Sequence, residues 1–209
     1  RGQVTGANKV WIEGAYRARL PERYLFPTVT RARELIEAAP TLDEHVALRR
    51  VLDLPPDLEE LSELEGSLVL PFLEWAKAQG ANDGYVARHR RSWWSVGLRA
   101  PAPVLVTYMA RRAPTFVLNP GRARHINVAH GLYPRAPLSQ TEIETVVTWL
   151  NHTVSVEQGR TYAGGLTKFE PKELERIRIP PLEELNAVPT SMEPRRTDSG
   201  RHGSPELFP

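Results

Sequence analysis

Apolar and polar positions alternate along this chain in patterns that predict both strands and helices. Two short strands are predicted in the first half, one in residues 4–12 around a turn signal at Gly6 and one in residues 46–54, ahead of a proline pair. Helices are predicted in residues 28–39, which stop at Pro40, and in residues 68–79, which stop at Gly80.

After residue 84 the pattern changes to short runs rich in β-branched and aromatic residues. The runs RSWWSVGL, APVLVTYMA, TFVLNP and INVAHGLYP are separated by proline and glycine turns and predict three or four strands. Ser139 and Glu142 then form the pattern of a capping box ahead of an apolar stripe at helical spacing, which predicts a helix. Glu170-Pro171 predicts the start of another short helix.

These elements together predict an α/β protein of the mixed α+β kind. We expect a twisted, largely antiparallel or mixed sheet in the second half, with helices that flank it. Residues 1–188 are predicted to form one domain, and residues 189–209, which lack any apolar pattern, to form a flexible tail. No internal repeat is visible.

Composition narrows the class of protein. With 41% hydrophobic and 25% charged residues the chain has enough apolar material for a core. It has no apolar run near the roughly 20 residues of a membrane span and no secretory signal, so we expect a soluble, cytoplasmic protein without a membrane partner. It has no cysteine, and its six histidines lack zinc spacing, so no metal site is predicted. Because the first residue is Arg1 rather than methionine, we expect a piece of a longer protein.

Charge is distributed unevenly. The formal net charge is only +2, but residues 84–141 contain nine arginines, no lysine and no acid. At the average frequency of acids in this chain, about seven would be expected there. A total of 23 arginines against 4 lysines suggests a GC-rich genome, which explains arginine in place of lysine but not the missing acids. We call residues 84–141 the acid-free window, and its charge predicts a polyanionic partner.

Arginine can clamp phosphates or read guanine, aromatic rings can stack on bases, and asparagine can read adenine. The candidate contacts inside the window are Arg88, Arg90, Arg91, Trp93, Trp94, Arg111, Arg112, Arg122, Arg124, His125 and Asn127. His125 and Asn127 would share one face of a strand. Each residue type could instead have a role unrelated to binding. The arginines could be solvated surface residues, the tryptophans could be partly buried core residues, and the histidine could make a structural hydrogen bond.

Enzymatic alternatives have weaker support. Asp57 with the Glu170-Pro171-Lys172 run loosely resembles the acid and Glu-x-Lys pattern of metal-dependent nucleases, but Pro171 would remove a hydrogen bond from the strand that the pattern needs. Gly164-Gly165 ahead of Lys168 lacks Walker spacing, and no Gly-x-Ser-x-Gly elbow or dinucleotide loop is present.

Several runs together resemble a known family. TGANKVW, YLFPTVTRARELIE, RSWW, YMARRAPTFVLN, INVAHGLYP and GRTYAGGLTKFEPKELERIRIP follow in this order across residues 2–181. They resemble the C-terminal target-recognition part of bacterial adenine-specific DNA methyltransferases of restriction–modification systems. The last run is also similar to the end of recognition domains in type I specificity subunits.

The resemblance implies sequence-specific binding of double-stranded DNA, beside a catalytic domain of the same polypeptide that extrudes the adenine. It also places Asn8, Lys9 and Lys168 on loops that face the DNA. Members transfer a methyl group from S-adenosylmethionine with an Asn-Pro-Pro-Tyr or Asp-Pro-Pro-Tyr motif, which this chain lacks, since Asn119-Pro120 continues as Gly121. We therefore expect no catalytic residue and no cofactor in this chain. The alternative from another class is a protein-interaction module that uses nine acids in residues 43–74 and the arginine-rich face.

Overall fold

The computed structural model describes residues 1–110, 112–162 and 165–186. Its strands are β1 (Leu25–Val29), β2 (Arg50–Leu52), β3 (Val104–Thr107), β4 (Met109–Ala110), β5 (Phe116–Leu118), β6 (Arg124–His125), β7 (Ala129–Leu132), β8 (Arg160–Tyr162) and β9 (Leu166–Lys168). Its α-helices are α1 (Asn8–Trp11), α2 (Ala32–Ala38), α3 (Glu63–Ala78), α4 (Tyr85–Arg88), α5 (Gln140–Thr153), α6 (Pro171–Glu175) and α7 (Leu182–Asn186). The predicted mixed α+β class is confirmed.

The strands form three small sheets instead of the one twisted sheet that we predicted. The orders are β2–β1–β6, β5–β3–β7 and β4–β9–β8. The first sheet is mixed, because β1 runs antiparallel to β2 and parallel to β6, whereas the other two are antiparallel. The described strands have two to five residues each.

Three apolar clusters hold these sheets and helices together. The first surrounds Trp11 and Phe72, between α1, the first sheet and α3. The second surrounds Val29 and Leu35, and the third includes Val147 on α5. Strand β3 contributes to two of them because its side chains alternate: Leu105 enters the second cluster, and Val104 and Val106 enter the third.

Helices with local start and stop signals lie close to where the sequence predicts them. Helix α5 begins after Ser139, whose hydroxyl and the Glu142 carboxylate form the expected capping box. Helix α6 begins at Pro171, and α2 ends before Pro40. Helix α3 starts earlier than predicted, because Ser62 and Glu65 form a second capping box.

Two strand predictions in the first half of the chain need correction. Residues 4–12 do not form a strand: Gly6 turns the chain at φ +81°, and the Ala7 carbonyl accepts from Val10 and Trp11 to start helix α1. Burial of Trp11 in the first cluster favours this local conformation over an extended one. The strand in residues 46–54 is shortened to β2.

Two predictions in the acid-free window also fail. The RSWWSVGL run forms no strand. In the INVAHGLYP run, Asn127 lies in a turn after β6 ends at His125, so the two residues do not share a strand face.

No helix in the described residues is long and apolar enough to cross a membrane.

Candidate nucleic-acid interface

Two segments that are 80 residues apart in sequence lie against each other at the surface. The α-carbon of Gly6 faces Val86, so that a Cβ at Gly6 would come within 3.2 Å of the Val86 Cβ. The Arg90 guanidinium donates a hydrogen bond to the Val4 carbonyl. We call the exposed residues around this contact the joined surface, which consists of Asn8, Lys9, Tyr85, Arg88, His89 and Arg91.

Asn8 and Lys9 begin helix α1 on this surface and are both exposed. The hydroxyl of buried Thr5 donates to the Asn8 carboxamide oxygen and thereby fixes the amide. No described hydrogen bond uses the two Nδ2 donors of exposed Asn8, and such donors suit a phosphate or a base acceptor. No described carboxylate forms an ion pair with Lys9.

Helix α4 supplies the other half of the joined surface. Its inner side carries Val86 and buried Ala87, while Arg88 and the following Arg91 are exposed. Arg90 differs from both, because it is half-buried against Val4 and its burial lowers the pKa of the guanidinium. Arg90 therefore ties the two segments together, and the outward cations are Arg88 and Arg91.

Trp93 and Trp94 anchor this segment to the core. The Trp93 ring lies 6.2 Å from Trp11 and 5.9 Å from Trp94 between centroids. The Trp94 Nε1 group donates to the Pro55 carbonyl at 3.1 Å, and the Ser92 hydroxyl donates to Pro56 at 2.7 Å. Both rings are partly buried and hold α4 in place. This favours a structural role for the two tryptophans over base stacking.

A groove of about 500 Å³ adjoins Asn8 and Lys9. Two arginines that the sequence analysis missed, Arg31 and Arg49, line its other side. They lie outside the acid-free window, and pairing of β1 with β2 brings their segments together, with the Thr28 amide donating to the Arg49 carbonyl at 2.9 Å. No local sequence signal indicates this convergence.

Charge in the groove is predominantly positive. Its carboxylate, Glu13, accepts from Arg50 Nε at 2.8 Å and is neutralised by it. Arg50 also pairs with Glu22, and these acids raise the pKa of its guanidinium. Arg49 is held in place by the Thr30 hydroxyl and lies 3.8 Å from Glu34.

The positive charge of the acid-free window is not neutralised by ion pairs within the described residues. The described ion pairs are Arg23–Glu65, Arg33–Glu37, Arg49–Glu34, Arg50–Glu13, Arg50–Glu22, Lys77–Glu74 and Arg160–Glu173. Each of these cations lies outside residues 84–141. The described arginines of the window therefore have no carboxylate ion-pair partner within the described residues.

The candidates in residues 122–127 are placed less favourably for contact. Arg122 is exposed in a left-handed turn at φ +53°. The Arg124 guanidinium lies 3.9 Å over the Phe26 ring and donates to the Leu98 carbonyl at 3.0 Å, so it is anchored within the molecule. His125 is only 1% exposed, and Asn127 is partly exposed. The burial of His125 gives no support to a contact with DNA.

His125 and His130 form a buried pair of imidazoles. Both are nearly inaccessible, and none of their ring nitrogens has a hydrogen-bond partner within the described part of the chain. Burial lowers the pKa of each imidazole to about 4. Both rings are therefore neutral near pH 7.

The remaining candidates lie by the third sheet. Lys168 lies on β9 and pairs with Met109 on β4. The Lys168 Nζ lies 4.6 Å from the centroid of the Tyr162 ring. Arg112 is exposed just after β4. Arg111 and Gly164 lie outside the described residues.

The nuclease alternative gains no support from the geometry. Asp57 caps a short 3₁₀ helix by accepting from the Glu59 amide, and Glu170 precedes α6 as its cap residue. Within residues 1–110, 112–162 and 165–186, no group of three or more histidine, aspartate or glutamate side chains could hold a metal ion.

Comparison with known proteins gives the family. Residues 2–199 match the family model described as "Type II methyltransferase M.Eco57I, C-terminal domain". The chain is 58% identical over 187 residues to "Type II methyltransferase M.XamI" from Xanthomonas campestris pv. amaranthicola, a match that covers 90% of the chain and 36% of that relative.

A second relative, "Type II methyltransferase M.AccI" from Acinetobacter calcoaceticus, is 22% identical over 184 residues, which cover 84% of the chain and 34% of the relative. The chain thus spans about a third of the length of these curated relatives. With nearly its whole length matched by the family model, the chain belongs to the family of the C-terminal domain of the type II methyltransferase M.Eco57I.

Proposed function

We propose that this chain is the DNA target-recognition part of an adenine-specific, S-adenosylmethionine-dependent DNA methyltransferase of a restriction–modification system. The observation that carries the proposal is the joined surface, where two distant segments meet at Gly6 and Val86. These segments carry exposed Lys9, Arg88 and Arg91, none of which has a described acidic partner. Such a surface suits a duplex, whose phosphates need several cations in a fixed arrangement.

The proposed roles follow from the chemistry of each group. Lys9, Arg88 and Arg91 contact phosphates and set the register, while Arg90 keeps their segments together. The amide donors of exposed Asn8 bind acceptors on base edges. The catalytic domain, which also binds S-adenosylmethionine, belongs to the same polypeptide, and the protein acts in the cytoplasm on bacterial DNA.

Experiment separates this function from a protein-interaction module. Within residues 43–74, Glu65 pairs with Arg23 and Glu74 pairs with Lys77, while Glu59, Glu60 and Glu63 are exposed. Such a module would self-associate in a salt-dependent way without affinity for DNA, which sedimentation at low and high salt detects.

A salt-dependent binding titration tests the proposal. Fluorescence anisotropy with a labelled, mixed-sequence duplex should show binding at low salt, and log K should fall linearly with log salt concentration. The variants Lys9→Ala and Arg88→Ala should each reduce the magnitude of that slope by about one, because each removes one phosphate contact.

Arg33→Ala is the matched control. Arg33 is 79% exposed but pairs with Glu37 on α2, so its loss should leave the slope unchanged. Absence of binding to any duplex at low salt would refute the proposal. Equal slopes for wild type, Lys9→Ala and Arg88→Ala would show that the protein binds DNA through a surface other than the joined surface.

A further inference from the structure

Tyr85 and His89 form an aromatic platform on the joined surface. Tyr85 is 71% exposed, and its ring stacks on His89 with centroids 4.0 Å apart and planes 30° from parallel. The His89 Nδ1 group is bonded to the Tyr85 carbonyl at 2.7 Å, which fixes the imidazole under the phenol ring. One face of Tyr85 is therefore covered by His89, and the other is open to solvent.

The platform rests on a well-supported segment. Val86 and Ala87 fix the inner side of α4, and the bonds of Ser92 and Trp94 to the proline pair hold the chain that follows. A tyrosine held in one orientation loses little further freedom when a ligand stacks on it.

Exposed cations lie on the same segment as the platform. Arg88 lies one helical turn from Tyr85, on the same side of α4, and Arg91 is exposed three residues further along the chain. An open aromatic face among phosphate-binding cations is the combination with which proteins hold unpaired nucleotides.

We propose that the Tyr85–His89 platform stacks on the face of an unpaired nucleobase. This inference rests on the DNA-binding function proposed above and adds the state of the base that is bound. Inside a duplex each base face is covered by its neighbours, so a ring with a free face can stack only on a base that has left the helix or lost its neighbour. Paired DNA would use the cations alone.

The probe is a duplex with a single bulged 2-aminopurine, compared with the same sequence fully paired. Wild-type protein should bind the bulged duplex more tightly and should quench the 2-aminopurine fluorescence on binding. Tyr85→Ala should lower affinity for the bulged duplex by roughly tenfold to a hundredfold, with paired affinity unchanged and the quenching lost. Tyr85→Phe keeps the ring and should retain both effects.

Leu64→Ala is the control for loss of an exposed apolar side chain, because Leu64 is 74% exposed but lies on the acidic helix α3. It should leave both affinities unchanged. Circular dichroism of each variant verifies folding.

The platform alone is overturned by a wild type that binds paired DNA without preference for the bulge, or by a Tyr85→Ala variant that keeps the preference and the quenching. An equal loss of affinity for both duplexes in Tyr85→Ala also overturns it, since Tyr85 would then only shape the surface. A wild type that binds neither duplex overturns the DNA-binding function and the platform together.

Discussion

Residues of one type have different tasks in this chain, and only the fold separates them. The run Arg88-His89-Arg90-Arg91 reads as a uniform basic cluster, yet Arg90 is half-buried against Val4 while its neighbours are exposed. Arg124 is likewise bound over Phe26. The sequence could predict a cationic surface, but whether a given arginine points outward depends on contacts with residues far away along the chain.

The buried histidine pair makes stability depend on pH. His125 and His130 have a pKa of about 4 when folded, against 6.5 for an ordinary histidine, so the unfolded chain takes up protons first as the pH falls. Their contribution is fully present above pH 6.5 and is lost progressively towards pH 4. Each imidazole should account for a loss of about 3 kcal/mol in the free energy of unfolding.

Urea unfolding at a series of pH values measures this loss. His125→Leu should remove about half of the fall between pH 6.5 and pH 4 that the two imidazoles cause. The quantity compared is the slope of the free energy of unfolding with pH. Any change in stability that leucine causes independently of pH therefore cancels. If the slope of the variant matched that of the wild type, the pair would not be the cause.

Elements with local signals were predictable, and elements that depend on tertiary contacts were not. The capping box at Ser139 and Glu142 lies within four residues, and helix α5 starts where it indicates. Residues 8–11 have the composition of a strand, but the turn at Gly6 and the burial of Trp11 make them helical. The local sequence does not show that burial of Trp11 will favour a helical conformation of these residues over an extended one.

Two glycines give a matched test of how elements tolerate a methyl group. Gly66 lies inside helix α3 with no atom near an added Cβ, so Gly66→Ala should stabilise the protein by about 0.5–1 kcal/mol. A Cβ at Gly121 would lie 2.6 Å from the backbone of Asp43, and backbone cannot move aside cheaply. Gly121→Ala should therefore destabilise the protein by about 1–3 kcal/mol.

Chemical denaturation of both variants measures the two changes. Opposite signs are expected. Destabilisation by Gly66→Ala would mean that the outer side of α3 is not open, and an unchanged stability of Gly121→Ala would mean that the turn does not press on the segment around Asp43.

At the scale of the whole molecule, the charge pattern was predictable and the assembly of the interface was not. The acid-free window is visible in the sequence because it is contiguous. Lys9, Arg31 and Arg49 line one groove although they come from separate segments, and the contact of Val86 with Gly6 brings helix α4 against the residues that precede α1. These contacts join segments tens of residues apart, for which periodicity and composition carry no information.

The prediction that residues 1–188 form one domain can be tested through β3. Leu105 is fully buried in the second cluster, while Val104 and Val106 on either side of it belong to the third. Val128 packs against both the first and second clusters. The three clusters are thus connected in series, so loss of Leu105 should weaken all of them.

Leu105→Ala should lower the free energy of unfolding by about 2–5 kcal/mol. Hydrogen exchange should report this loss equally in α3, which packs on the first cluster, and in α5, which packs on the third. Leu70→Ala, at an exposed position of α3, is the control and should leave both helices as slow to exchange as in the wild type. Faster exchange in α5 alone would show that the first cluster unfolds independently, and the chain would then consist of two cooperative units.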